Sequence, residues 1–147
     1  MSGQPNIFTG SELVGAFKRF YADCKQLSVD DMHSLYHDDV IFRDPVHDLR
    51  GLTALHSYLD RLSDVVTECR FEYLDQLVGE KSAYIKWNMH YKHPKLANRP
   101  LALKGVTHIE FNDRIYFHQD VYDLGEMFYE NVPLMGSVIK KLKKRLA

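Results

Sequence analysis

Near the end of the chain, His118 and Asp120 stand two residues apart in the run Ile115-Tyr116-Phe117-His118-Gln119-Asp120-Val121-Tyr122. Residues i and i+2 of a strand share a face, so an imidazole and a carboxylate are aimed at one place. Such a pair can divide proton donation and acceptance, because histidine titrates near neutral pH. It can equally be a buried hydrogen-bonded pair that pins the last strand. By the same alternation Tyr116 and Tyr122 flank the pair. A second carboxylate, Asp44, precedes Pro45, where an aspartate readily caps a turn through nearby backbone amides. The eight histidines include no pair at the spacing of a zinc-binding helix. Cys24 and Cys69 make neither a metal spacing nor a redox motif. No metal or cofactor is expected, and the cysteines read as free thiols of a reducing, cytoplasmic compartment.

These residues need elements to position them. A helix is predicted from about Ser11 to Gln26, with Ser11 as N-cap and Leu13, Val14, Phe17, Phe20, Tyr21 and Cys24 as its apolar stripe. A short helix follows over Val29 to Tyr36, capped by Ser28. Val40 to Arg43 reads as a strand closed by Asp44-Pro45, and a loop runs to Gly51. A third helix spans about Leu52 to Leu62. The period then changes from 3.6 to 2. Strands are predicted over Thr67 to Val78, Ser82 to Lys92, Leu101 to Phe111 and Arg114 to Tyr122, with turns at Gly79-Glu80 and Asn112-Asp113. In the second of these, Ala83, Ile85, Trp87, Met89 and Tyr91 share one face. Tyr84, Lys86, Asn88, His90 and Lys92 share the other. A last helix starts near Leu124 and breaks near Pro133. Helices set apart from an antiparallel sheet define the α+β class.

The chain has 147 residues, 45% apolar and 12% aromatic, which suits one domain with a real core and excludes global disorder. No apolar run is long enough to span a bilayer. Met1 to Gly10 lacks the pattern of a signal peptide. A net charge of -1 argues against a general nucleic-acid binder.

The order of elements resembles the NTF2-like superfamily, and within it the SnoaL-like proteins, with ketosteroid isomerase as a distant relative. Three motifs carry the resemblance. They are Leu35-Tyr36-His37-Asp38-Asp39-Val40-Ile41-Phe42-Arg43-Asp44-Pro45 followed by Gly51, then Gly105-Val106-Thr107-His108-Ile109-Glu110-Phe111, then Ile115 to Asp123. The likeness extends from about Leu13 to Tyr129. It implies a single domain over 1–147, in which a curved antiparallel sheet wraps the long first helix as a cone (the NTF2-like or cystatin-like arrangement). The cone opens on an apolar pocket, whose expected lining includes Phe20, Phe42, Trp87, Met89, Thr107, Tyr116 and Tyr122.

The resemblance also assigns roles to test. Asp44 matches the general base of the isomerase, where an apolar mouth would raise a carboxyl's pKa. The oxyanion tyrosine falls by spacing on Phe20, with Tyr21 turned about 100° away on the helix. The oxyanion aspartate falls on Thr107. With both donors altered, each worth ~3 kcal/mol, steroid isomerisation is not expected. The Asp-Arg-Asp set of related epoxide hydrolases is missing too, because Trp87 and Met89 stand on the comparable strand. SnoaL-type cyclases use an aspartate near the end of the sheet, which here is Asp120, with His118 beside it. The expected protein takes a small apolar ligand, as a cofactor-free isomerase, cyclase or dehydratase. The alternatives are a non-catalytic ligand-binding or accessory dimerisation domain, or a peripheral membrane lipid-handling protein. The outer sheet face of this fold often meets a second copy, which implies a homodimer.

Five cations crowd the end of the chain: Lys140, Lys141, Lys143, Lys144 and Arg145. Removing them from a chain of net charge -1 leaves a body at -6. Leu134, Met135, Val138, Ile139, Leu142 and Leu146 form an apolar stripe on the same segment, about 134–147. A basic amphipathic helix can lie on an anionic membrane. The reading preferred from sequence is that the stripe packs on the domain while the lysines complement the helix C-terminus.

Overall fold

The computed structural model describes residues 9–126 and 135–147. Helix α1 spans Gly10–Tyr21, and its N-cap is Thr9 rather than Ser11. The Thr9 hydroxyl accepts the Glu12 amide at 3.2 Å. The helix also ends five residues earlier than expected. Asp23 forms an isolated bridge with Arg70, and the Cys24 amide donates to the Cys69 carbonyl at 3.3 Å. The chain after Tyr21 is thus drawn onto the sheet instead of continuing its spiral. Helix α2 (Val29–Leu35) is capped by Ser28 as expected, and Met32 and Leu35 are buried.

Strand β1 (Tyr36–Arg43) is longer than the sequence implied, and it is followed by a short strand β2 (Asp48–Arg50) where a loop was expected. Helix α3 covers Leu52–Val65, entered through Gly51 at φ 91°, a left-handed value that favours glycine. Strands β3 (Glu68–Val78), β4 (Ser82–Lys92), β5 (Leu101–Phe111) and β6 (Ile115–Tyr122) form an antiparallel meander. The sheet order is β2-β1-β6-β5-β4-β3. It is curved, open and mixed, not purely antiparallel, because β1 runs parallel to β6 with Phe42 opposite His118. Pairing between strands so distant in sequence leaves no local signature, which is why the alternation of each strand could be read and its partner could not.

One core fills the concave side, built from Leu13, Val14 and Phe17 of α1, Leu55 and Leu59 of α3, and Ile85, Ile109 and Ile115 of the sheet. A second cluster, Val66, Met89, Tyr91 and Leu103 around Cys24 and Cys69, closes one end. Here the expectation of free thiols fails. Cys24 and Cys69 are joined by a disulfide with Cα atoms 5.3 Å apart. Cysteines 45 residues apart in sequence meet only because α1 ends against β3. The bond withdraws the ground for reading a reducing compartment.

Among the described residues no helix is long and apolar enough to cross a membrane. Helix α4 (Met135–Leu146) is the basic segment. The expected break near Pro133 and the stripe member Leu134 lie outside the described residues, and so does the side chain of Met135. The disulfide closes a long loop and restrains the unfolded chain, so Cys24→Ser or full reduction should lower stability by about 2–5 kcal/mol. Urea melts with and without reductant would show it; coincident curves would mean the thiols are not paired.

Candidate functional site

Alternation sends Trp87 of β4, Thr107 of β5, and His118 and Asp120 of β6 to the concave side, and α1 faces them with Phe17 and Tyr21. Trp87 stands opposite Gly105 across the β4–β5 ladder. A Cβ at Gly105 would collide with the indole, so the glycine lets the ring lie flat on the sheet. From there its Nε1–H reaches the diagonal neighbour, donating to Thr107 Oγ1 at 2.8 Å.

The indole N–H can only donate, so the threonine oxygen accepts it and passes its own proton onward. The Thr107 hydroxyl donates to Asp120 Oδ1 at 2.6 Å. A second chain reaches the same oxygen. Tyr21 and Tyr36 hydroxyls are 2.6 Å apart, Tyr36 OH is 2.8 Å from His118 Nδ1, and His118 Nε2 is 2.8 Å from Asp120 Oδ1. With the aspartate a carboxylate and the imidazole neutral, counting donors assigns the directions. His118 Nε2–H donates to Asp120, Tyr36 donates to Nδ1, and Tyr21 donates to Tyr36. Burial drives the Tyr21 and Tyr36 phenols well above the ordinary tyrosine range, which keeps both protonated.

The two chains thus converge on Oδ1. Among the described residues Asp120 Oδ2 takes no hydrogen bond, and the side chain keeps 20% of its exposure while the His118 side chain keeps 2%. Phe42 packs its ring edge-on to the imidazole at 4.8 Å. The cleft beside Asp120 is lined by Phe17, Tyr21, Phe71, Tyr73, Trp87, Thr107 and His118, with a volume of about 20 Å³. A water needs about 10–15 Å³ by that measure, so in this conformation the cleft has room for one water and no larger ligand. The Tyr73 hydroxyl is buried without a hydrogen-bond partner among the described residues. Burial first, then the charge of Asp120, keeps this phenol protonated.

Asp44 sits in a different setting. Its Oδ1 accepts the Val46 amide at 2.8 Å, the His47 amide at 2.7 Å and His47 Nδ1 at 2.9 Å; its Oδ2 accepts the Tyr58 hydroxyl at 3.0 Å. Tyr122 lies near enough to feel its charge. The Asp44 side chain is 1% exposed. The carboxylate caps the β1–β2 turn and holds α3 to it. Tyr58 and Tyr122 are raised above the ordinary tyrosine range by burial first and then by the charge of Asp44, with Asp120 contributing, so the two carboxylates act on the same region.

The expected pocket residues therefore scatter. Trp87 and Thr107 line the cleft with His118 and Asp120. Phe42 stands behind the imidazole. Phe20 and Met89 belong to the two core clusters and do not line the cleft. Tyr116 is turned out. Glu110 pairs with Phe117 and Phe111 with Ile115, so Tyr116 is an extra bulged residue. One such residue flips the parity of the strand before it. Tyr21 was expected to point elsewhere and instead supplies a hydroxyl to the network. The missed signal was its four-residue spacing from Phe17, which places both on one helical face. Tyr36, Phe71 and Tyr73 were missed as well. Phe71 and Tyr73 alternate on β3, a signal the sequence did carry.

A family model of the SnoaL-like domain matches residues 17–118, so the chain belongs to the SnoaL-like family. That match stops two residues before Asp120. Among solved structures, the chain is similar to a hypothetical protein with a ketosteroid isomerase-like fold from Catenulispora acidiphila, in complex with trimethylamine. The TM-score is 0.68 at 16% identity, covering 80% of this chain and 90% of that one. It is also similar to a protein from Shewanella denitrificans named for its likeness to SnoaL polyketide cyclases, with TM-score 0.67, 18% identity, and coverage of 80% and 93%. An NTF2-like protein of unknown function from Exiguobacterium matches at TM-score 0.66 and 14% identity, covering 76% and 98%. At these identities the likeness shows the fold. A search of curated proteins returns no match.

The relay through Thr107 has a direct consequence. Thr107→Val keeps the shape, strands the Trp87 N–H and removes one donor from Asp120, which should cost about 1–3 kcal/mol. Trp87 is the single tryptophan, so its emission reports the site. Unchanged urea stability with an unchanged spectrum would contradict the relay.

Proposed function

We propose that this SnoaL-like protein moves a proton on a small, largely apolar ligand, in an isomerisation, cyclisation or dehydration that needs no cofactor. The observation that carries this reading is the convergence of two donor chains on Asp120 Oδ1, which fixes the carboxylate and leaves Oδ2 as its working oxygen. In this reading Oδ2 takes the substrate proton. His118 Nε2–H holds the carboxylate's position and orientation, and the unpartnered Tyr73 hydroxyl donates to charge that develops on the substrate. Asp44, enclosed by its donors, serves the shape of the rim.

Entry of a ligand requires the wall to open. Phe71 and Tyr73 are only partly buried, stack with ring centroids 6.1 Å apart, and lie on the edge strand β3 next to its bulge between Tyr73 and Asp75. Their outward rotation is the gating movement in this reading. The water-sized cleft favours a second reading, a non-catalytic accessory domain whose cone is filled by its own side chains.

The two readings separate on one variant. Asp120→Asn keeps the shape and removes the base. Wild-type protein should exchange α-protons of small cyclic enones in deuterated water, read by NMR, and the variant should lose about 10²–10⁴-fold of that rate. If wild-type protein shows no exchange and the same enones do not raise its melting temperature, the accessory reading stands.

A second copy on the convex face belongs to the same proposal. Tyr84, Val106 and Val121 are exposed there on adjacent strands, with Val106 opposite Val121 and Tyr84 stacked on His108 at 4.5 Å. Val121→Glu should shift a dimer to monomer in sedimentation equilibrium; an unchanged mass would place any self-association elsewhere.

A further inference from the structure

Helix α4 leaves much of its apolar stripe uncovered. Val138, Leu142 and Leu146, one helical turn apart, are 56%, 49% and 89% exposed. Among the described side chains the reading that this stripe packs on the domain holds only for Ile139, which is half-buried. The physical reason is that the helix meets the domain along one rim of the stripe. Ile139 Cγ2 and Lys143 Cε approach the position of Gly125, and Lys143 Nζ binds the Asp123 carboxylate. That hydrogen bond holds the Asp123 carboxyl below the usual aspartate range. Around the helix, 100° per residue places Lys141 and Arg145 along one rim of the stripe, Ile139 and Lys143 along the other, and Lys140 and Lys144 behind. Residues 135–147 contain no acidic side chain.

From this arrangement we infer that α4 is a membrane-surface element: its exposed stripe inserts among the headgroups of an anionic bilayer while the flanking cations meet lipid phosphates and carboxylates. Charge complementarity selects this occupant. A solvated surface helix has no use for three exposed aliphatic residues in line, and a pure polyanion site has no use for them either. Helices that lie in the interfacial plane gather a few apolar residues on one side and surround them with lysines and arginines, as α4 does. The helix is tethered at Asp123, three residues beyond Asp120, so docking would hold the end of β6 close to the lipid. The inference does not depend on the proton-transfer reading.

The test uses the full chain and sedimentation with vesicles of phosphatidylcholine alone or with about 30% phosphatidylserine. Wild-type protein should bind the anionic vesicles, fail to bind the neutral ones, and be released by salt. Each cation near an anionic surface contributes about fivefold in affinity, so Lys141→Gln with Arg145→Gln should weaken binding roughly 25-fold. Leu142→Gln with Leu146→Gln should abolish it with all charges kept. Circular dichroism confirms that these variants, exposed and distant from the core, stay folded. No binding by the wild type, or binding that survives the leucine substitutions, overturns the inference; the latter outcome would identify a polyanion site.

Discussion

A carboxylate inside a cone of aromatic rings is tolerable only if protein donors replace the water it has lost, and that requirement organises this molecule. Asp120 Oδ1 takes one hydrogen bond from Thr107 and one from His118. Behind these stand Trp87, Tyr36 and Tyr21. Five elements therefore meet at one oxygen: α1, β1, β4, β5 and β6. The parallel pairing of β1 with β6 sets Phe42 opposite His118, and the pairing of β4 with β5 sets Trp87 over Gly105. A one-residue slip in either ladder would turn a required donor to the convex side. The network depends on the sheet's register, and by leaving a donor unpaired when the register is wrong it also penalises the alternatives.

The same logic separates the two aspartates. Asp44 is enclosed by backbone amides of its own turn together with His47 and Tyr58, so both of its oxygens are occupied. Among the described residues Asp120 is hydrogen-bonded on one oxygen only. A carboxylate that is held on one side and unengaged on the other combines fixed geometry with a spare lone pair, which is the arrangement proton transfer requires.

Much of the fold was legible in the sequence because it rests on local period. The alternation of β4, from Ala83 to Tyr91, matches its buried face residue for residue. The capped start of α2 follows equally from Ser28. What local pattern does not contain is pairing. The parallel β1–β6 ladder and the Cys24–Cys69 bond each join segments that only the finished fold brings together. Of the site, the His118 and Asp120 pair was visible as an i, i+2 spacing that shares a face, but the hydroxyl chain behind it and the place of Tyr116 were not. The bulge at Tyr116 changes the parity of β6 by one residue, and no propensity marks it. The exchange of Phe20 for Tyr21 was legible in part, since Tyr21 lies one helical turn from Phe17 and both line the cleft.

The two ends of the concave sheet are built for different degrees of constraint. Around Cys24 and Cys69 a covalent bond, a bridge between Asp23 and Arg70, and the cluster of Met89, Tyr91 and Leu103 tie α1 to β3. Along β3 past Phe71 and Tyr73 the restraint weakens. Beyond the Asp23–Arg70 bridge the strand pairs with no other strand on its outer side among the described residues, its register shifts between Tyr73 and Asp75, and the Tyr73 ring stacks on Phe71 with Lys18 Nζ 5.4 Å away, while its hydroxyl has no hydrogen-bond partner among the described residues. Moving this ring outward breaks no hydrogen bond of its side chain and releases a phenol from an unsatisfied burial. On the proposed reading the cleft would open at this wall, with the disulfide end as the frame against which it moves.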